Sequence, residues 1–454
     1  MRCPRFPRPV TVSAVLTMMI GLGACAQTTT VPVGLPPSPA VSPSVDQAAP
    51  SGPPPAPRLE VERRPDVEPP AVTAPVGPPK VALLVPLSGR AATIGAALRN
   101  AAEMALFEIA DSSFALAVYD TASTPGGAVQ ATERALGEGA RMIIGPLFSG
   151  SAQAVGPIAA QADVPVLSFS NDRSVAGGGV WVFGLLPSQQ VDRVVRYAVD
   201  RGFRRIGALI SENAYGSTAI QAARASASTV GATVNRVEVY RPGTEDLADL
   251  VKRFADYDIR RRELERQRAD LQARGGEAAT SALKRLETLD TAGPYPYDAV
   301  LVPAGGEELR NLAPLMAYYD IDPVEVKYLG TALWTERGLG REPTLVGGWF
   351  AAPSPTTRAV FEARYRETFG TVPPGLASLA YDGVALAAVL ARAPAGMVFD
   401  AASLTQESGF AGVDGLFRLL PDGSNERGLA VLRLTEDGYE VEDPAPVSFE
   451  LLLN

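Results

Sequence analysis

The chain of 454 residues carries 41 Lys and Arg against 50 Asp and Glu, a formal net charge of −9, and no histidine. An acidic surface argues against a nucleic-acid partner, whose phosphates need cationic contacts. The missing histidine removes Ser-His-Asp and Cys-His catalysis, histidine metal ligation and the usual proton carrier near neutral pH, so an enzyme, a metal site and a cofactor are not expected.

At the N-terminus Arg2, Arg5 and Arg8 precede an apolar run, Val10 to Leu22, that is too short to span a bilayer comfortably and ends in small residues. Leu22-Gly23-Ala24-Cys25 resembles a bacterial lipobox. The resemblance implies that residues 1–24 are a removed signal peptide and that Cys25 becomes the lipidated first residue. The second cysteine, Cys3, lies in the removed segment, which leaves no thiol for a disulfide or nucleophile. Residues 25–79 then read as a tether. Sixteen of the 54 residues from Ala26 to Pro79 are proline and none is aromatic, so no core is expected there. At ~3.1 Å per residue its polyproline-II limit is on the order of 170 Å.

A folded region is expected over 80–454. Val81 to Val85 is a continuous apolar run, the pattern of a strand buried on both faces. Ala96 to Ala110 reads as a helix with Ala97, Ala101, Met104, Ala105 and Ile109 inward. The alternation continues with strand Phe114–Tyr119, helix Ala128–Gly137, strand Arg141–Ile144, helix Ser151–Ala162 and strand Val164–Ser168. A second series follows: helix Val191–Arg201, strand Arg205–Ile210, helix Gly216–Val230, strand Thr233–Tyr240, and strands at Ala299–Val302 and Val326–Leu329. Such alternation predicts an α/β fold of two lobes, each a doubly wound parallel sheet. The expected lobe 1 covers about 80–186 and 338–412, and lobe 2 about 187–337 and 413–454. Within lobe 2, residues 252–290 mix both charge signs. Ile259, Leu264 and Leu271 mark one face, Gly275-Gly276 a break, and Leu283, Leu286 and Leu289 a second face. This predicts a charged helical hairpin, either a solvated excursion or a protein-docking arm.

In open α/β sheets ligands bind at loops leaving the carboxyl ends of strands. Three such loops are rich in small polar residues. Gly145 to Ser151, containing Phe148 and Ser149, leads into a helix whose first N–H groups suit a carboxylate. Ser168-Phe169-Ser170-Asn171-Asp172 offers two hydroxyls. Ser211 to Gly216 presents Tyr215 from the other lobe. Each loop also fits an ordinary helix cap, for which Ser, Asn and Asp are preferred. Gly177-Gly178-Gly179 reads as a turn before a strand, not a phosphate loop.

The strings "VALLVPLSG", "IIGPLFSGSAQAV", "VPVLSFSND", "ENAYGSTA" and "LAYDGVALAA" together resemble the type I periplasmic binding proteins of the leucine/isoleucine/valine class. Further strings, "YDAVLVPAGG", "YLGTALW", "GGWFAAPSP" and "GFAGVDGLFRLLPDGSNERGLAVL", with the charged insert and the lipobox, resemble the penicillin-binding protein activators. The first resemblance implies a cleft in which Ser149, Ser168 and Ser170 hold a carboxylate, Tyr215 closes over the ligand and Glu245 meets an amine. The second implies an outer-membrane lipoprotein, anchored through the Cys25 lipid, that contacts and activates a class A penicillin-binding protein, a bifunctional peptidoglycan synthase. Ala26 after the cysteine, rather than an aspartate, agrees with outer-membrane sorting. The stretch 183–189 lacks an aspartate often found in the amino-acid binders, and Phe148 is bulkier than a carboxylate site expects. On these grounds the sequence favours a non-catalytic regulator, with an amino-acid or small-amide binding lipoprotein of an ABC importer as the alternative. An open cleft of several hundred Å³ between Ser149 and Tyr215 favours solute binding. A cleft filled by Phe148 favours the regulator.

Overall fold

A computed structural model describes residues 78–109, 114–244, 246–392 and 399–449. The proposed signal peptide, Cys25, nearly all of the tether, and Glu245 lie outside the described residues. From residue 80 the chain alternates β1 (Lys80–Val85), α1 (Ala92–Ile109), β2 (Ala115–Asp120), α2 (Pro125–Gly137), β3 (Ala140–Ile144), α3 (Ser149–Gln161), β4 (Val166–Ser168) and β5 (Val180–Val182). These strands form one parallel sheet in the order β2-β1-β3-β4-β5. The unbroken apolar run in β1 is explained by its two faces. Val81, Leu83 and Val85 join one buried cluster with α1, while Ala82 and Leu84 join another with α2.

After residues 183–186 the chain enters a second lobe: α4 (Pro187–Asp200), β6 (Arg205–Ser211), α5 (Ala214–Thr229), β7 (Thr233–Tyr240), α6 (Leu247–Phe254), α7 (Tyr257–Arg274), α8 (Glu277–Leu286), β8 (Ala299–Leu301), α9 (Gly306–Tyr318), β9 (Lys327–Gly330) and β10 (Trp349–Ala352). It returns to lobe 1 for α10 (Pro355–Phe369), α11 (Ala377–Ala391), α12 (Ala401–Leu404) and a small antiparallel sheet, β11 (Phe410–Gly412), β12 (Gly415–Leu419) and β13 (Asn425–Arg427). A third crossing leads to β14 (Ala430–Thr435) and β15 (Gly438–Asp443), which extend the lobe 2 sheet antiparallel, in the order β15-β14-β10-β9-β8-β6-β7.

The second and third crossings fall elsewhere than the sequence predicts. Residues 338–352 belong to lobe 2, because Leu339, Leu345, Phe350 and Ala352 pack with Trp334 and Leu432, and β10 pairs with β9. Residues 413–427 belong to lobe 1, where Phe417 and Leu419 join its core and Phe417 meets Phe183 edge-on at 5.0 Å. Trp334, Trp349 and Phe350 are buried within lobe 2.

The charged insert is a helical hairpin, α7 against α8, but its inward face differs from the expected stripe. Ile259 is 59% exposed and Leu289 45%. Arg260 is buried instead. Its guanidinium lies 3.7 Å from the Tyr295 ring centroid and donates to Asp320 O at 3.0 Å, while Leu264, one turn on, is buried beside it.

Asp382 of α11 is a structural acid. Oδ1 accepts from Val413 N at 2.7 Å and Oδ2 from Asp414 N at 3.4 Å, fastening the β11–β12 turn to the helix. Asp414 in turn accepts from Ser378 Oγ at 2.8 Å and lies 3.4 Å from Arg358. Burial, and then the charge of Asp414, push the Asp382 carboxyl up to about 7.

Candidate functional site

The loops after β3 and β4 and the start of α5 converge on an open cleft of about 630 Å³. Lobe 1 contributes Ser149 and the run Asn171 to Ser174. Lobe 2 contributes Tyr215 and one face of α5, and the first crossing supplies Leu186 and the adjoining Pro187 and Ser188.

Ser149 opens α3. Phe148 O accepts from the N–H groups of Ser151 (3.1 Å) and Ala152 (2.9 Å), and no side chain caps the helix. Among the described residues no protein acceptor meets the N–H groups of Ser149 and Gly150. They and the helix dipole leave a donor-rich end suited to an anion. Gly145 makes the approach possible. Its φ is +96°, and a Cβ there would stand 2.2 Å from Leu84 O.

Tyr215 comes from lobe 2 as expected. Asn213 caps α5 by accepting from Gly216 N at 2.8 Å, which fixes the turn that carries Tyr215. The phenol donates to Thr331 Oγ1 at 2.9 Å and lies 3.5 Å from Gln190 Oε1. Burial pushes its pKa up to about 12, so it stays protonated and its hydroxyl is engaged inside lobe 2. Gln190, itself buried, accepts from Ala332 N at 2.8 Å and donates to Leu185 O and Leu186 O at 3.2 and 3.3 Å. One amide thus holds the cleft tyrosine, the loop after β9 and the first crossing together.

Three expected site residues are placed differently. Ser168 is fully buried; its Oγ donates to Pro146 O (3.1 Å) and accepts from Ser170 N (3.2 Å). Ser170 Oγ accepts from Asp172 N at 3.1 Å. Both hydroxyls shape the loop rather than line the cleft, which is the competing cap-and-turn use of such residues. Phe148 does not fill the cleft either, because its ring lies beneath Arg90, 5.1 Å from the guanidinium carbon. Glu245 lies outside the described residues.

The lining also contains residues that the sequence reading passes over. Arg173 sits at the cleft and donates to Asp422 Oδ2 at 2.8 Å. The Asp422 carboxyl is held down at about 2, chiefly by Ser424 Oγ and N–H and then by Arg173. On α5 the cleft face is Ala214, Thr218, Gln221, Ala222 and Ala225. Its helical spacing is legible, but the face is small and polar instead of apolar, so a search for hydrophobic stripes overlooks it. The described residues contain no group of three or more His, Cys, Asp or Glu able to hold a metal, and no described helix is long and apolar enough to cross a membrane.

Two doubly wound lobes, three crossings and a ligand-sized cleft lined from both sides define a two-lobed binding protein. Residues 78–439 match the model of the periplasmic binding protein family, and the chain belongs to that family. Solved structures share the fold. An ABC transporter substrate-binding protein from Sphaerobacter thermophilus superposes with a TM-score of 0.61 at 18% identity, covering 81% of this chain and 98% of its own. The branched-chain amino acid binding protein LivJ from Streptococcus pneumoniae, in complex with isoleucine, gives 0.54 at 19%, covering 81% and 100%. A solute-binding protein from Rhodopseudomonas palustris in complex with 3,4-dihydroxybenzoic acid gives 0.56 at 17%, covering 81% and 97%. An uncharacterized protein from Rickettsia prowazekii is 23% identical over 177 residues, 39% of this chain; the match spans 47% of that relative's length.

Proposed function

We propose that this protein is a non-catalytic periplasmic solute-binding protein whose interlobe cleft takes a small carboxylate, an amino acid or an aromatic acid, for an ABC importer. The observation that carries the proposal is the open cleft of about 630 Å³ with Ser149 and Tyr215 on opposite lobes and Phe148 outside it. The solved relatives with isoleucine and a hydroxybenzoate support the choice of ligand class. A thermal-shift screen against amino acids and hydroxybenzoates tests it. A ligand at ~100 times its Kd stabilises the native state by about 2.7 kcal/mol, so one class raises the Tm, and a flat screen across both overturns the reading. Lipid anchoring through Cys25 is part of the proposal, and anchoring at the outer membrane goes with the second reading below. Radiolabelled palmitate should enter the wild type and not Cys25→Ser, and membrane fractionation reports which membrane holds it.

A second reading, activation of a class A penicillin-binding protein, draws on the activator-like strings and on the solvated α7–α8 hairpin, of which only Arg260, Leu264 and Ala279 are buried. Addition of the protein to its cognate synthase tests that reading. Stimulated glycan polymerisation supports it, and absence of both binding and stimulation removes it.

A further inference from the structure

The segment after β15 links the lobes a fourth time, without a strand. Its first anchor is in lobe 2, where Asp443 pairs with Arg193 of α4 and Arg193 Nε also donates to Leu429 O at 3.0 Å. The chain then passes over the third crossing. There Pro446 lies so close to Gly428 that a Cβ on the glycine would stand 3.1 Å from the proline ring. The second anchor is in lobe 1. Phe449 is 1% exposed, its ring lies 4.5 Å from the Arg418 guanidinium of β12, and a Cβ on Gly409 would meet it at 2.8 Å. Between the anchors Val447 is 86% exposed. The two ends are therefore held in different lobes, by a half-exposed ion pair in lobe 2 and a buried ring in lobe 1, while Val447 between them stands in solvent.

Pro444 and Pro446 restrict φ and stiffen the first half of this stretch, before the chain bends at Val447. A groove of about 840 Å³ runs beside it along α4. Arg193, Arg196 and Glu426 in its wall are already paired, with Asp443, Asp192 and Arg418.

We propose that residues 444–449 form a strap beside the hinge, with Phe449 as its plug in lobe 1, that narrows the range of interlobe angles open to the three crossings. The ring and its socket belong to lobe 1, yet the chain that delivers the ring belongs to lobe 2. A swing between the lobes must then carry the strap with it or draw the ring out.

The test uses the full chain with Cys3→Ser and Cys25→Ser, labelled at Gln130→Cys on α2 and Ser228→Cys on α5, both exposed. Interlobe distances are read by double electron–electron resonance without ligand, so the outcome is independent of the solute-binding proposal. Inserting Gly-Ser-Gly-Ser between Val447 and Ser448 leaves Phe449 free to occupy its socket but slackens the strap. We expect this insertion to widen the distance distribution ~1.5-fold or more, as a flexible linker replaces a stiff one. Phe449→Ala widens it similarly, and Val447→Ala leaves it unchanged. An insertion variant with the wild-type width overturns the proposal and reduces Phe449 to a core residue of lobe 1. Should Phe449→Ala fail to fold, the insertion decides alone.

Discussion

The two walls of the cleft are built from different materials. Lobe 1 offers backbone and charge: the unfilled N–H groups at the start of α3, Ser149, and Arg173 on a loop braced by the Ser168 and Ser170 hydroxyls. Lobe 2 offers surface: the ring of Tyr215 and the small face of α5. In the proposed solute-binding role the first wall orients an anionic group, and the second sets the size and shape of what is attached to it.

If that division holds, mutations on the two walls separate. Tyr215→Ala has the largest expected effect. Loss of a buried aromatic surface worth roughly 2–3 kcal/mol weakens solute affinity about 30- to 150-fold by calorimetry. Tyr215→Phe keeps the ring and loses only the hydroxyl contacts with Thr331 and Gln190 inside lobe 2, so its affinity stays near wild type.

Lobe 1 also carries a buried acid that ties its stability to pH. A carboxyl raised in the folded state binds its proton more tightly there than when unfolded. The stability that Asp382 lends lobe 1 is therefore greatest at low pH and is lost as pH rises from its ordinary value of 3.8 towards about 7. Asp120, Asp400 and Asp422 are held low, and their contribution is lost below that window. Between pH 5 and 8 the Tm of the wild type should fall by a few degrees, an effect on the order of 1 kcal/mol. In Asp382→Asn that slope flattens; an unchanged slope would show that the buried acid is not its source.

Ser149→Ala is expected to cost about 1 kcal/mol, close to five-fold in affinity, through one lost hydrogen bond. Phe148→Ala should change affinity less than about two-fold, because the ring lies under Arg90 and outside the cleft. A larger loss from Phe148→Ala than from Ser149→Ala would reverse the assignment of that wall.

The sheets were legible because runs such as Val81–Val85 have no polar side to show, and the first lobe crossing because a helix start follows it directly. The later crossings were not legible. Nothing local in Phe417 or Phe350 says which lobe each will join; that is settled by partners far away in sequence, Phe183 for Phe417 and Leu432 for Phe350. The site divides in the same manner. Ser149 and Tyr215 line the cleft because a strand end followed by a helix start sets each of them there. Ser168 and Ser170 have the same sequence signature, but a hydroxyl that closes a turn and one that meets a solute look alike until its acceptor is known. At Gly184 in the first crossing a Cβ would stand 2.4 Å from Ser170 O, so that crossing lies directly against the hydroxyl loop.

The place of β10 in its sheet has a consequence for biogenesis. Its four residues, Trp349 to Ala352, are all buried, and one of its edges waits for β14, which begins only at residue 430. Until residues 430–435 have been delivered and paired, lobe 2 presents an open, apolar strand edge to its surroundings, the kind that recruits other chains. A product interrupted between residues 352 and 430 would therefore be a substrate for envelope chaperones and proteases, even though the strands of the lobe 1 parallel sheet are already in place.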